Sequence, residues 1–260
     1  MNLSLLRTRI DPDALRLFAE TSGLADDDLN YALHTALRRR FGAHAPQPFR
    51  WPVPKAGPEV LLGYSTDPEA LLGGAAVLPN WSVDWSGPAA LEQIFRTPFE
   101  ARPMPAAFAP GTRLAFNLRL RPVRRYGSRL RDLRKAGGGS GAGERDVFLA
   151  AIEARDARGS SAEAEPLDRA AVYEEWLSDR LAPSAELESA RMVAFHRQRL
   201  RRKGAAGGKT VLPRIAGPDV EFEGILRVRD PDAFARLLSK GVGRHRAFGF
   251  GMLLLHPPER

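Results

Sequence analysis

The sequence predicts an α+β chain built from two copies of a βαββαβ module. Segments of period two alternate with segments of helical period along the chain. Two distant stretches also echo each other. VLLGYS-TDPEALLGG from Val60 and ILRVR-DPDAFARLLSKG from Ile225 each read as strand, then an Asp-Pro-acid-Ala helix opening, then glycine. Repetition of one strand–helix unit about 160 residues apart is what a duplicated module leaves in a sequence. The expected domains are 1–105 and 112–260, separated where Pro103, Pro105 and Pro110 mark a linker.

Residues 2–9 alternate as a first strand, and Asp11-Pro12 opens a helix with an N-cap and a proline at the first helical position. A second helix is expected over 26–41, ended by Gly42. Residues 47–54 and 58–65 read as two strands joined at Lys55-Ala56-Gly57, the first confined by its prolines to an edge. A short helix opens at Asp67-Pro68, Trp81 and Trp85 are expected to pack under a loop, and 97–102 close the first sheet. The second half starts with Thr112–Leu120, where Leu114, Phe116, Leu118 and Leu120 point one way and Arg113, Asn117, Arg119 and Arg121 the other. Residues 122–165 read as an insertion, flexible around Gly137–Gly141. Helices are expected over 146–157 and 168–181. Residues 190–203 and 209–215 form a hairpin around Gly204–Gly208, and further strands follow over 220–228 and 248–255, with a helix at 231–240 between them.

The chain has 260 residues, 43% of them hydrophobic, enough for a core in each module. It has no cysteine, which excludes disulfides, thiolate metal sites and cysteine nucleophiles and fits a reducing cytoplasm. No signal peptide or membrane span is expected. The net charge is +8, and its distribution is uneven. Arg119–Lys135 carries eight basic residues and one acid, Arg191–Lys209 seven and none, while acids crowd into 144–188. Segregation of this kind suits a polyanion, nucleic acid first. Arg197, Arg199 and Arg201 fall at strand spacing on one face of the hairpin, a ribbon suited to successive phosphates. A basic edge that blocks strand pairing would share some of these features.

The stretch NYALHTALRRRF, residues 30–41, carries the candidate chemistry. Leu29, Ala32, Leu33, Ala36, Leu37 and Phe41 form one apolar face. Tyr31, His34 and Arg38 form a column down its flank. A phenol, an imidazole and a guanidinium on one flank fit a solvated helix face. They also fit a metal-free site that moves a proton beside a phosphate. The tail Gly241–Gly251 holds glycines that expose backbone amides, with Arg244, His245 and Arg246 adding charge. It is neither a dinucleotide fingerprint nor a Walker loop.

The start MNLS, the Tyr31-Ala32-Leu33-His34 helix, the strand RLAFNLRLRP and the tail GVGRHRAFGFGMLLL together resemble the CRISPR repeat-processing endoribonucleases. The resemblance is to the type I-E CasE/Cse3 group, with the type IV group as relatives in which arginines can replace the histidine. It implies two ferredoxin-like domains in tandem. It also implies metal-independent cleavage of precursor CRISPR RNA at the base of a repeat hairpin, by attack of a ribose 2′-hydroxyl. His34 then matches the catalytic histidine, Tyr31 its partner and Arg39 the assisting cation; the chemistry of the flank independently offers Arg38 or Arg39 for the charge on the phosphorane. The hairpin residues Arg197, Arg199, Arg201, Arg202, Lys203 and Lys209 then match a basic hairpin that enters the RNA, while Arg124 and Arg125 in the basic run and Arg244, His245 and Arg246 at the tail are expected RNA contacts from their charge. No cofactor or metal is expected. The partners expected are a repeat hairpin RNA and other subunits of a CRISPR effector complex. A non-cleaving RNA-binding subunit and a basic ferredoxin-like interaction protein remain as alternatives.

Overall fold

A computed structural model describes residues 3–24, 29–54, 56–72, 88–125, 144–157, 165–201, 204–206, 209–211 and 214–258. The first sheet contains β1 (Ser4–Arg9), β2 (Phe49–Arg50), β3 (Val60–Ser65) and β4 (Glu100–Pro103), in the order β2-β3-β1-β4. The second contains β5 (Arg113–Leu120), β8 (Ala185–Arg201), β11 (Arg214–Val228) and β12 (Leu253–His256), in the order β12-β5-β11-β8. Numbered within each module, both orders are 4-1-3-2, and every pairing is antiparallel. This is the ferredoxin-like arrangement, twice in one chain.

In the first module the connecting helices are α1 (Pro12–Thr21), α2 (Leu29–Phe41), α3 (Glu69–Leu72) and α4 (Pro88–Ile94). The Asp11 carboxylate caps α1 by accepting from Asp13 N and Ala14 N. Leu15, Phe18, Ala32, Leu33, Ala36 and Leu37 then pack with Leu6 and Leu61 in one core. In the second module α6 (Arg169–Leu181) and α7 (Pro231–Lys240) cover one face of the sheet. Asp168 and Asp230 cap them. Tyr173, Trp176, Leu177, Phe234 and Leu238 pack there with Phe116, Leu118, Val220 and Phe222. The echoing Asp-Pro motifs occupy equivalent places, each after its module's third strand.

Between β5 and α6 lie β6 (Val123–Arg125), β7 (Glu144–Asp146) and α5 (Val147–Ala157), with β6 paired to β7. The stretch around Gly137–Gly141 and the pair Trp81 and Trp85 lie outside the described residues. β9 (Gly204–Ala206) pairs with β10 (Lys209–Val211) at the hairpin tip.

Three boundaries differ from expectation. The return strand and the strand over 220–228 are one 15-residue strand, β11, running beside a 17-residue β8. Its register shifts at Glu221/Phe222 and Ile225/Leu226 let so long a pair twist without breaking. The strand at 47–54 shortens to Phe49–Arg50, an edge as its prolines require. The last strand begins at Leu253, because Gly249 and Gly251 adopt φ of 78° and 79°, values a strand cannot use. No helix among the described residues is long and apolar enough to cross a membrane.

Candidate active site

The buried face of α2 fixes what its flank can reach. With Ala32, Leu33, Ala36 and Leu37 locked in the first core, Tyr31 and His34 turn toward the tail of the second module. There both meet Phe248, the last residue of a short 3-10 turn, Arg246–Phe248. The Tyr31 ring centroid lies 5.6 Å from that of Phe248, and His34 lies 5.2 Å away, edge-on at 75°. The aromatic–imidazole column and the glycine-rich tail, over 200 residues apart in sequence, therefore meet.

Among the described residues neither the His34 imidazole nor the Tyr31 hydroxyl has a hydrogen-bond partner. Burial, with the Arg38 guanidinium adding to it, pulls His34 down to about 4, so the ring is neutral at neutral pH and free to accept a proton. Burial pushes the Tyr31 phenol up, which keeps it a donor.

The tail loop is held close by its glycines. A Cβ on Gly249 would lie 2.6 Å from the Asn30 amide, and one on Gly251 would lie 2.2 Å from the Val242 carbonyl. Only a bare backbone can lie between α2 and the end of α7. His245 occupies the left-handed region at φ 61°, rare for a residue with a side chain. It is held there by Glu144 of β7, whose carboxylate lies 2.6 Å from His245 Nε2 and accepts from Arg244 Nε at 2.7 Å. Burial pushes the Glu144 carboxyl up, but the bonds and charges of His245 and Arg244 outweigh it and hold it at about 2. His245 also stacks near Phe248, at 6.1 Å.

Behind this site the modules share a buried polar seam. Arg119 of β5 donates to both oxygens of Asp219 at 2.8 and 2.5 Å and to Gln198 Oε1 at 3.2 Å. It also donates to the Trp51 carbonyl at 3.4 Å and lies over the Phe250 ring. In the amide orientation that satisfies both ends, Asn30 donates to the Trp51 carbonyl at 3.0 Å and accepts from Arg119 at 3.3 Å. Arg50, 3% exposed, donates to Glu221 at 2.7 Å, and Asn117 donates to the same carboxylate at 2.7 Å. Arg121 is only 1% exposed. The polar face of β5 is thus an interface between modules at Arg119 and Asn117, where the alternation alone had both facing away from the core.

Several basic side chains point elsewhere. Arg38 is exposed beside His34, while the exposed Arg39 lies over the Phe18 ring of α1. Arg124 and Arg125 are exposed on β6, and Arg197 is exposed on β8. Arg199 and Arg201 follow Arg197 along the strand backbone, opposite Ala216 and Arg214, and Lys209 begins β10. The side chains of these three, and Arg202 and Lys203 altogether, lie outside the described residues. Arg246 donates to the Lys240 carbonyl. Arg191, counted in a run without acids, meets Glu223 of the neighbouring strand at 3.5 Å, so the ribbon is partly compensated across the sheet. Asn30, Arg50 and Glu144 carry no motif of their own, and nothing local in the sequence marks them.

The model of the family described as CRISPR associated protein matches residues 4–257. The chain belongs to this family. No curated protein matches the sequence of this CRISPR-associated protein. Its fold is similar to that of the CRISPR endoribonuclease Cse3 bound to a 19-nucleotide RNA. That similarity has a TM-score of 0.59 and 22% identity, over 99% of this chain and 100% of the other. It is equally similar, at a TM-score of 0.59 and 19% identity over 99% and 100%, to Thermus thermophilus Cse3 bound to an RNA representing a pre-cleavage complex. A CRISPR-associated protein from Thermus thermophilus matches at a TM-score of 0.52 and 19% identity, over 98% and 100%. Likeness at such identity speaks for the fold: two tandem ferredoxin-like domains, with the CasE/Cse3 group as structural relatives.

Proposed function

We propose that this protein is an endoribonuclease that cuts precursor CRISPR RNA at the base of a repeat hairpin and retains the hairpin product within an effector complex. One juxtaposition carries the reading: Tyr31 and His34 stand against Phe248 of the glycine-rich tail, with Arg38 exposed beside them. Membership of the CRISPR-associated family supports it. So does the likeness to two Cse3 structures bound to RNA. A chain of a CRISPR RNA-guided surveillance complex, similar at a TM-score of 0.51 and 21% identity, supports the effector-complex partner.

In the reaction a ribose 2′-oxygen attacks the adjacent phosphorus while the bond from phosphorus to the 5′-oxygen breaks. The products are a 2′,3′-cyclic phosphate and a 5′-hydroxyl. Neutral His34 takes the 2′ proton, and the 5′-oxygen is protonated by the Tyr31 phenol or by the imidazolium just formed. Arg38 meets the negative charge that develops on the phosphorane. This scheme needs proton transfer and positive charge but no metal. Arg39, drawn toward Phe18, contributes only at longer range. Arg197, Arg199, Arg201, Arg202, Lys203 and Lys209 hold the hairpin stem through its phosphates. Arg124, Arg125, Arg244, His245 and Arg246 line the approach to the cut.

The test is incubation with the cognate repeat RNA in EDTA, comparing wild type with His34→Ala and Arg38→Ala. Cleavage by wild type and its loss in His34→Ala supports the reading. Tight, salt-sensitive binding without any cut leaves a non-cleaving RNA-binding subunit. Negligible binding leaves an interaction protein with no role on nucleic acid.

A further inference from the structure

The second module carries a concavity beside the tail loop. It is a cavity of about 600 Å³ between β6, the last turn of α6 and the tail loop, and its walls include Arg124, Arg125, Trp176, Arg180, Gly243 and Arg244. Four guanidinium groups in one cavity repel each other unless something negative enters. Arg124, Arg125 and Arg180 are exposed, and none of the three has an ion pair among the described residues. Among the described residues Asp179 is the single carboxylate in the wall, and Arg244 is balanced by Glu144. The cavity therefore keeps a positive excess.

One wall is aromatic. Trp176 is buried, and its indole N–H has no hydrogen-bond partner among the described residues. The Arg180 guanidinium lies over the Trp176 ring at 5.3 Å. Gly243, at φ 74°, presses on that ring so closely that a Cβ there would come within 3.1 Å of Cη2. The tail loop therefore connects the cavity to the candidate site: Gly243 abuts Trp176, Arg244 and His245 share Glu144, and His245 stacks near Phe248, against which His34 stands.

We infer that this cavity is a subsite for the phosphodiester backbone of single-stranded RNA continuous with the strand cut at His34. The inference rests on the proposed function. A concavity lined by side-chain cations around an aromatic side chain matches a flexible single strand, which can bend its phosphates inward. Its exposed donors read phosphates and not base edges, so the subsite accepts any sequence.

The experiment uses the full chain and two forms of the repeat hairpin RNA, one trimmed to the stem-loop and one with unpaired nucleotides on both sides. Affinity is measured across a salt series for wild type and for the combined variant Arg124→Gln, Arg125→Gln, Arg180→Gln, with thermal unfolding as a folding control for these exposed positions. In wild type the unpaired nucleotides tighten binding and steepen the salt dependence, whatever their sequence. In the variant that gain disappears, and the log–log salt slope for the flanked RNA falls by about 0.7 for each phosphate that is no longer neutralised. A gain that survives in the variant overturns the inference. So does a loss equally large for the trimmed hairpin, which would place these arginines on the stem. A wild type that cuts the hairpin but gains nothing from the flanks overturns this inference alone. A wild type that binds neither RNA overturns the proposed function and this subsite with it.

Discussion

His34 and His245 flank one phenylalanine and live in opposite environments. His34, on a helix of the first module, has no hydrogen-bond partner among the described residues, and burial with Arg38 holds it at about 4. His245, on a loop of the second, is bound to Glu144 at 2.6 Å in a left-handed backbone conformation. The spacing of residues treats the two as equals. The surroundings leave one neutral without a hydrogen-bond partner among the described residues and tie the other to a carboxylate, as a strut. A ring that must exchange a proton needs an open lone pair, whereas a ring held by a carboxylate serves to shape a loop.

Substitution at the two histidines gives the largest expected contrast. His34→Ala should reduce single-turnover cleavage of repeat RNA by about 10²–10⁴-fold while RNA affinity changes little. Equal losses from His34→Ala and His245→Ala would erase the distinction between base and strut. Arg38→Ala should follow with a loss of about 10²-fold, as for removal of one group that stabilises developing negative charge.

The pH profile sharpens the same contrast. A neutral base at about 4 keeps kcat/KM level down through pH 5, with its acidic limb near 4, below the ordinary histidine value of 6.5. Burial is the larger cause of the depression and Arg38 the second, so Arg38→Ala should move that limb upward part of the way toward 6.5. The same depression acts on stability. The folded pKa lies below the unfolded one, so the contribution of neutral His34 is complete above 6.5 and is lost as pH falls through about 4. A limb at 6.5 in the wild type would show His34 open to water.

Glu144→Gln tests the strut. It removes the charge that holds Arg244 and His245 and should cost about 1.5–3 kcal/mol, the range for hydrogen bonds to charged groups, toward its lower end because Arg244 is partly exposed. Thermal unfolding reads that loss, and cleavage should fall by less than in His34→Ala. Arg39→Ala should be the mildest, because the guanidinium leans on Phe18 and away from Phe248. A change of more than about tenfold in rate, comparable to loss of a positioned acid–base group, would return Arg39 to the site.

Much of the fold was legible because it is written locally. Asp11 and Asp230 cap the helices their Asp-Pro motifs announce, and Gly42 and Gly241 follow the helices they were expected to end. The alternation of β5 identified Phe116, Leu118 and Leu120 as core. What escaped was the other face. Arg119 and Asn117 look like solvent-facing residues because a period of two cannot distinguish water from a second module. Arg50 and Asn30 escaped for the same reason: their partners, Glu221 and Arg119, lie in the other module.

By itself the sequence determined the elements, their module and the apolar stripe that turns Tyr31 and His34 to the flank of α2. Those outcomes follow from short-range preferences, in caps, glycines and hydrophobic period, that act within a few residues. Only the tertiary structure decided that this flank faces Phe248, that Glu144 claims His245 and not His34, and that four arginines converge beside Trp176. Each of those depends on groups far apart in the chain, and no local preference encodes the distance between them.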